Sequence, residues 1–156
     1  MTMALQDICW PQGMCYGCGP SNPDGLHLKS YWSDDGQFVV ATYTPPAKFS
    51  SGLRGALYGG MIASLIDCHS NWTAMAFGYK AEGREPGSKP VIMSVTGMLG
   101  VKYLKPTAMG IPLHLRAWVE GEVGRKTRVI CELSDGQVVT AAGDSVFVRI
   151  DPSLIA

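Results

Sequence analysis

One carboxylate interrupts the most apolar stretch of this chain. Asp67 directly follows Met61-Ile62-Ala63-Ser64-Leu65-Ile66, and an acid in such a run is costly to bury without a partner. It must face a cleft, a neighbouring polar group or a subunit interface. Chemically it could attack a carbonyl carbon or draw a proton from an attacking water. A structural role is also open, with Ser64, Ser70 or Asn71 at helical spacing to satisfy it. Asn71 lies one turn along the same face, where it could orient Asp67, touch a ligand or satisfy a buried backbone group. His69 points elsewhere on a helix and reads as structural or exposed. Gly59 and Gly60 open the run, with no Ser, Thr, Asp or Asn at the cap. The first N–H groups of a helix lack partners and its dipole is positive there. Two glycines would let a ligand approach that backbone closely, as an oxyanion site made of main chain requires. A tight helix entry against a sheet is the plainer alternative.

Two other clusters invite chemistry. Cys15-x-x-Cys18 is half a zinc site, and no second pair follows. Cys9 and His27 could complete four ligands, but at a spacing that matches no common module. A redox pair would open a helix in a βαβ unit, which is not the context here. No metal and no cofactor are therefore expected, and the cysteines and glycines read as a compact turn. Gly124-Arg125-Lys126-Thr127-Arg128 is a short basic cluster that suits phosphate oxygens or simply solvated surface. A Gly-x-Ser-x-Gly elbow, a His-Glu-x-x-His pair and a Gly-rich phosphate loop are all missing.

These residues need elements to hold them. Residues 1–25 read as an N-terminal loop segment, 26–150 as one domain and 151–156 as a short tail. Leu26–Trp32 alternates like a half-buried strand, and Gln37–Thr44 follows after the Asp34-Asp35-Gly36 turn. Met61–Phe77 is the one convincing helix, bracketed by Gly59-Gly60 and Gly78. It is apolar nearly all round at its start, as buried helices are. Strands are expected over 91–104, 113–120, 125–134 and 138–150, with Asp135-Gly136 as a hairpin turn. The order β-β-α-β-β-β-β implies an α+β fold, an antiparallel sheet wrapped around one helix.

Composition narrows the function classes. The 156 residues suit one domain, and apolar residues at 46% against 17% charged indicate a globular chain with extra buried surface. Thirteen basic residues balance thirteen acidic ones, so no bulk field favours nucleic acid. No run approaches membrane-spanning length, and no signal peptide is read. Five cysteines, an odd number, suit a reducing compartment, with cytoplasm the default.

Leu57-Tyr58-Gly59-Gly60 through Asp67 resembles the helix-entry motif of the PaaI-like hotdog acyl-CoA thioesterases, which is usually His-Gly-Gly, six apolar or small residues, then Asp. Thr96 through Tyr103-Leu104-Lys105-Pro106 is similar to that family's next strand. Cys15-Tyr16-Gly17-Cys18-Gly19 with Asn22-Pro23-Asp24-Gly25-Leu26 is similar to a segment preceding the first strand in part of it. The resemblance spans roughly residues 15–150. It implies a hotdog fold and hydrolysis of an acyl-CoA thioester. Asp67 would be base or nucleophile, the Gly59 N–H would polarise the carbonyl, and Thr96 would hold the attacking water. Tyr58, Gly60 and Asn71 would line the substrate site, with Arg125 and Lys126 near the coenzyme phosphates. Two positions depart from the pattern: Tyr58 replaces the usual His, and Gly52 stands where many members have Asn. A non-catalytic acyl-CoA binder is thus a second reading, and an enoyl-thioester hydratase a third. The family also implies a homodimer or dimer of dimers. Gly59 and Asp67 are roughly 12 Å apart along a helix axis, too far to serve one thioester, so the active site is expected to be shared between two chains.

Overall fold

The computed structural model describes residues 2–155; Met1 and Ala156, the outer ends of the expected N-terminal segment and tail, lie outside the described residues. The first departure from expectation is a short helix, α1 (Leu5–Cys9), in the stretch read as loop. No side chain caps it. Burial holds it instead: Leu5 and Cys9 enter the core, and the buried Gln6 side chain donates to Ser30 Oγ at 3.1 Å and accepts from Ser30 N at 2.9 Å. One turn is too short to show a period, and tertiary contacts supply its stability.

Strand β1 is only Tyr31–Trp32, shorter than the expected Leu26–Trp32. His27 has a φ of 57°, which breaks the extended chain, so buried Leu28 reaches the core from irregular backbone. β2 (Val39–Tyr43) lies inside its expected range, and a 3-10 turn at Ala47–Phe49 follows the two prolines. Helix α2 (Gly59–Ala81) begins at the two glycines themselves and runs past Gly78. Gly78 sits in the last turn of the helix, where Ile92 packs onto it; a Cβ there would lie 3.3 Å from Ile92 Cδ1.

The sheet then builds from β3 (Met93–Met98), β4 (Val101–Tyr103), β5 (Leu113–Val119), β6 (Lys126–Ser134) and β7 (Val139–Ile150). The stretch expected as one strand, 91–104, is split. β3 pairs with the end of β7 and β4 with its start, and the register shifts between Thr96 and Met98. Gly100 lies in the break, where a Cβ would sit 2.6 Å from Asp144 O, so only a bare Cα permits this irregular crossing.

Every strand pair is antiparallel, in the order β1-β2-β5-β6-β7-β3 with β4 also on β7. Leu113, Leu115 and Ala117 of β5 and Val129, Cys131 and Leu133 of β6 are buried on the inner face, the alternation that one covered face produces. Against them lies α2, whose Leu65 and Ile66 are fully buried. Truncating Leu65 to Ala would cost about 2–5 kcal/mol. This is the expected α+β hotdog architecture: one long central helix with an antiparallel sheet wrapped around it. No helix among the described residues is long and apolar enough to cross a membrane, and all five cysteines carry free thiols.

Candidate active site

Asp67 projects from the middle of α2 toward edge strand β3. Thr96 Oγ1 donates to Asp67 Oδ1 at 2.6 Å. One turn on, Asn71 Nδ2 donates to Ser94 O at 2.9 Å and Asn71 Oδ1 accepts from Ser94 Oγ at 2.5 Å. Four helical residues advance about 6 Å, and two strand residues about 6.7 Å. The helix pair 67 and 71 therefore meets the strand pair 96 and 94 in register. Asn71 satisfies a backbone carbonyl and clamps β3, so Thr96 stands where Asp67 can use it. None of the partners considered for a purely structural Asp67 bonds to it: Ser64 Oγ turns back to Gly60 O, Ser70 Oγ is buried without a partner, and Asn71 is engaged with Ser94. Burial pushes the Asp67 carboxyl above the usual carboxylate range, the Thr96 hydrogen bond opposes this, and negative charge at Cys15 adds to it.

The carboxylate lines a cavity of about 320 Å³ with Thr96, Asn71, Trp72, Met75 and the N-terminal loop. Met98, at the end of β3, is 52% exposed and is not among the lining residues. Sequence reasoning missed that Trp10, Cys15 and Cys18 form one wall and that Cys68 joins them. Trp72 Nε1 donates to Cys18 Sγ at 3.2 Å. Hydrogen bonds from Cys18, Cys68 and the backbone N–H groups of Cys18 and Gly17 draw the Cys15 thiol well below its ordinary range. The one available signal was the position of Cys68, immediately after the motif aspartate.

The neighbouring His69 does something different. It is fully buried, with Nδ1 2.9 Å from Ser30 Oγ and Nε2 2.9 Å from Val39 O. A carbonyl can only accept, so Nε2 carries the proton and Nδ1 accepts from Ser30. Burial pushes its pKa down to about 4, and the imidazole is a neutral strut between α2, β2 and the segment around Ser30.

The glycine end of α2 is a separate place. The N–H groups of Gly59 and Gly60 have no acceptor among the described residues, and no side chain caps the helix. Gly59 faces its own cavity of about 310 Å³, shared with Ile62, Tyr103 and Lys105, which has no residue in common with the Asp67 cavity. Tyr103 Oη donates to Gly59 O at 2.7 Å. Tyr58 is exposed and its ring lies over Gly60, where any Cβ would overlap it. Gly52 is exposed with open space around it. Arg125 and Lys126 stand exposed at the start of β6 and line neither cavity. The structure thus brings Asp67, Thr96 and Asn71 together, and leaves Gly59, Gly60 and Tyr58 in a second group.

No family model matches the chain, and no curated protein matches it. Solved structures do. A thioesterase superfamily protein from Shewanella loihica PV-4 is 34% identical, with 80% of this chain and 91% of that chain covered at a TM-score of 0.65. PaaI from the phenylacetic acid degradation operon of E. coli is 20% identical over 81% of each chain, with a TM-score of 0.63. A protein from Bacillus halodurans, solved with CoA, is 22% identical over 81% of this chain and 76% of that one, with a TM-score of 0.60. The second and third likenesses establish the shared fold; the first, across nine-tenths of its partner's length, places this chain in the thioesterase superfamily.

Proposed function

We propose that this protein is a cytoplasmic acyl-CoA thioesterase whose active site is completed by a second copy of the chain. The observation that carries this reading is the Asp67–Thr96 hydrogen bond at the mouth of a largely apolar cavity. Thr96 occupies Asp67 Oδ1, and Oδ2 has no protein partner among the described residues. That oxygen can take a proton from water as the water oxygen attacks the thioester carbon. The C–S bond then breaks, and the coenzyme leaves as a thiolate that regains a proton. Direct attack by the carboxylate, giving an anhydride that water opens, uses the same atoms. The CoA bound to the Bacillus protein supports the choice of substrate class.

The carbonyl oxygen needs donors about 3 Å away, and the Asp67 cavity has no share in Gly59. The free Gly59 N–H of a partner chain fills this role. β3 is an edge strand, and Val95, Met98 and Leu99 on and beside it are exposed, as a face that pairs with another copy would be. Arg125 and Lys126 would meet the coenzyme phosphates outside the acyl cavity.

The ring of Tyr58 over Gly60 favours one competitor, an acyl-CoA binder with a covered helix entry. A panel of short, long and aromatic acyl-CoAs, followed by free-thiol release, separates the two. Steady release of thiol supports hydrolysis; saturable binding without release across the panel overturns it. Mixing Asp67→Asn with Gly59→Trp chains tests the sharing. Mixed dimers should regain one intact site in two, and mixed dimers that form without activity would refute the shared site.

A further inference from the structure

We propose that Cys15, Cys18 and Cys68 form a metal site, binding one Zn²⁺ through three thiolates and tying the N-terminal loop to helix α2 at the wall of the Asp67 cavity. The three Sγ atoms all lie within 4.8 Å of one another, and Cys15 Sγ is 3.8 Å from Cys68 Sγ. Tetrahedral zinc with Zn–S bonds of about 2.3 Å requires sulfur–sulfur edges of about 3.8 Å. One edge therefore has the required length already, and the other two close with shifts of no more than about 1 Å.

The surroundings are built for anionic sulfur rather than for three small apolar side chains. The Trp72 indole N–H donates to the Cys18 sulfur at 3.2 Å, and Cys15 Sγ and Cys68 Sγ are already in hydrogen-bonding contact. N–H donors of this kind orient thiolate ligands and spread their charge. The loop is also fixed in place. Gly19 N donates to Cys15 O at 2.8 Å, Leu26 N to Tyr16 O at 2.7 Å and Leu28 N to Gly17 O at 3.0 Å. Any Cβ at Gly17 would overlap the Cys68 sulfur, so the bare Cα is what lets the helix cysteine enter the cluster. Two cysteines from a loop and one from a helix make a cluster that no linear spacing displays, and the proposal departs on that ground from the expectation of no metal drawn from the lone pair. Cys15, Cys18 and Cys68 all line the Asp67 cavity, so a water from it would supply the fourth ligand. On binding, each thiol that is not yet ionised gives its proton to solvent.

The test is metal binding itself and does not depend on hydrolysis. The reduced full-length chain is titrated with Zn²⁺ and, separately, with Co²⁺. One equivalent should bind, Co²⁺ should give a sulfur-to-cobalt charge-transfer band in the near ultraviolet, and Zn²⁺ should protect three of the five thiols from an aromatic disulfide reagent. Zinc loading should also raise the melting temperature. Cys15→Ser and Cys68→Ser, each checked for native circular dichroism, should lose the band. Absence of the band, unchanged reactivity of all thiols under Zn²⁺, or binding retained in both variants would each overturn the site. So would a Cys15–Cys68 disulfide that forms in air and persists in the presence of equimolar Zn²⁺. The protection experiment uses the parent chain alone and decides the question even if a variant does not fold.

Discussion

Asp67 and His69 are two residues apart on one helix, the first a half-buried polar group and the second a fully buried one. They differ in how fully they are satisfied. His69 has a partner on each nitrogen, and its partner Ser30 is bonded in turn by Gln6. Asp67 has one hydroxyl on one oxygen, and its other oxygen opens on a cavity. Helical geometry causes the difference: two residues turn the side chain to another face, one meeting α1 and the sheet and the other an edge strand. A saturated polar network fixes a fold. A carboxylate left half-satisfied beside open space is available for chemistry.

The strongest way to break this comparison is Asp67→Asn. Turnover of acyl-CoA should fall by about 10²–10⁴-fold, while the melting temperature holds or rises because a partly buried charge has gone. A folded variant within twofold of the parent rate would make Asp67 another strut. Next in size is Ser30→Ala, which strips His69 Nδ1 and Gln6 of their shared partner. Urea unfolding should show a loss of about 1–3 kcal/mol, with turnover unchanged within twofold; a large kinetic effect would move the His69 network into the active site. Thr96→Val comes third, with turnover down about tenfold, equivalent to about 1.4 kcal/mol, and stability within about 0.5 kcal/mol of the parent. Tyr103→Phe is the mildest. It removes an exposed bond to Gly59 O and should cost under about 1 kcal/mol by thermal melting; a loss of several kcal/mol would mean that the glycine end of the helix is held by Tyr103 alone.

Of the residues that resembled a motif, the fold brings Asp67 and Thr96 together, with Asn71 beside them, and leaves Tyr58, Gly59 and Gly60 apart. Asp67, Asn71 and Thr96 lie on regular elements, where period and register convert spacing into distance. Elements with a long clean pattern, such as the alternating Leu113–Val119 strand, were legible for the same reason. What escaped was decided by tertiary contact. Leu26 to Leu28 alternates like a strand, yet His27 takes a positive φ. Gly78 reads as a stop, yet the packing of Ile92 keeps the helix going. The break between β3 and β4 follows from how closely Gly100 passes Asp144. Cys68 could not be joined to Cys15 and Cys18 from sequence, because fifty-three residues separate it from Cys15 and only the closed fold removes that distance.

The wall made by Trp10, Cys15 and Cys18 comes from a different part of the chain than the carboxylate and hydroxyl it faces. Helix and sheet hold Asp67 and Thr96, while the loop shapes the space beside them. Loops tolerate change that packed elements do not. Descendants of this chain could therefore alter which molecules fit by editing the loop at and around Trp10, with Cys15, Gly17 and Cys18 kept, without disturbing the reacting groups. The same division warns against trimming. A chain begun at Leu26 would keep its aspartate and lose both the wall and the Gln6 anchor on Ser30, giving an opened cleft on a weakened body.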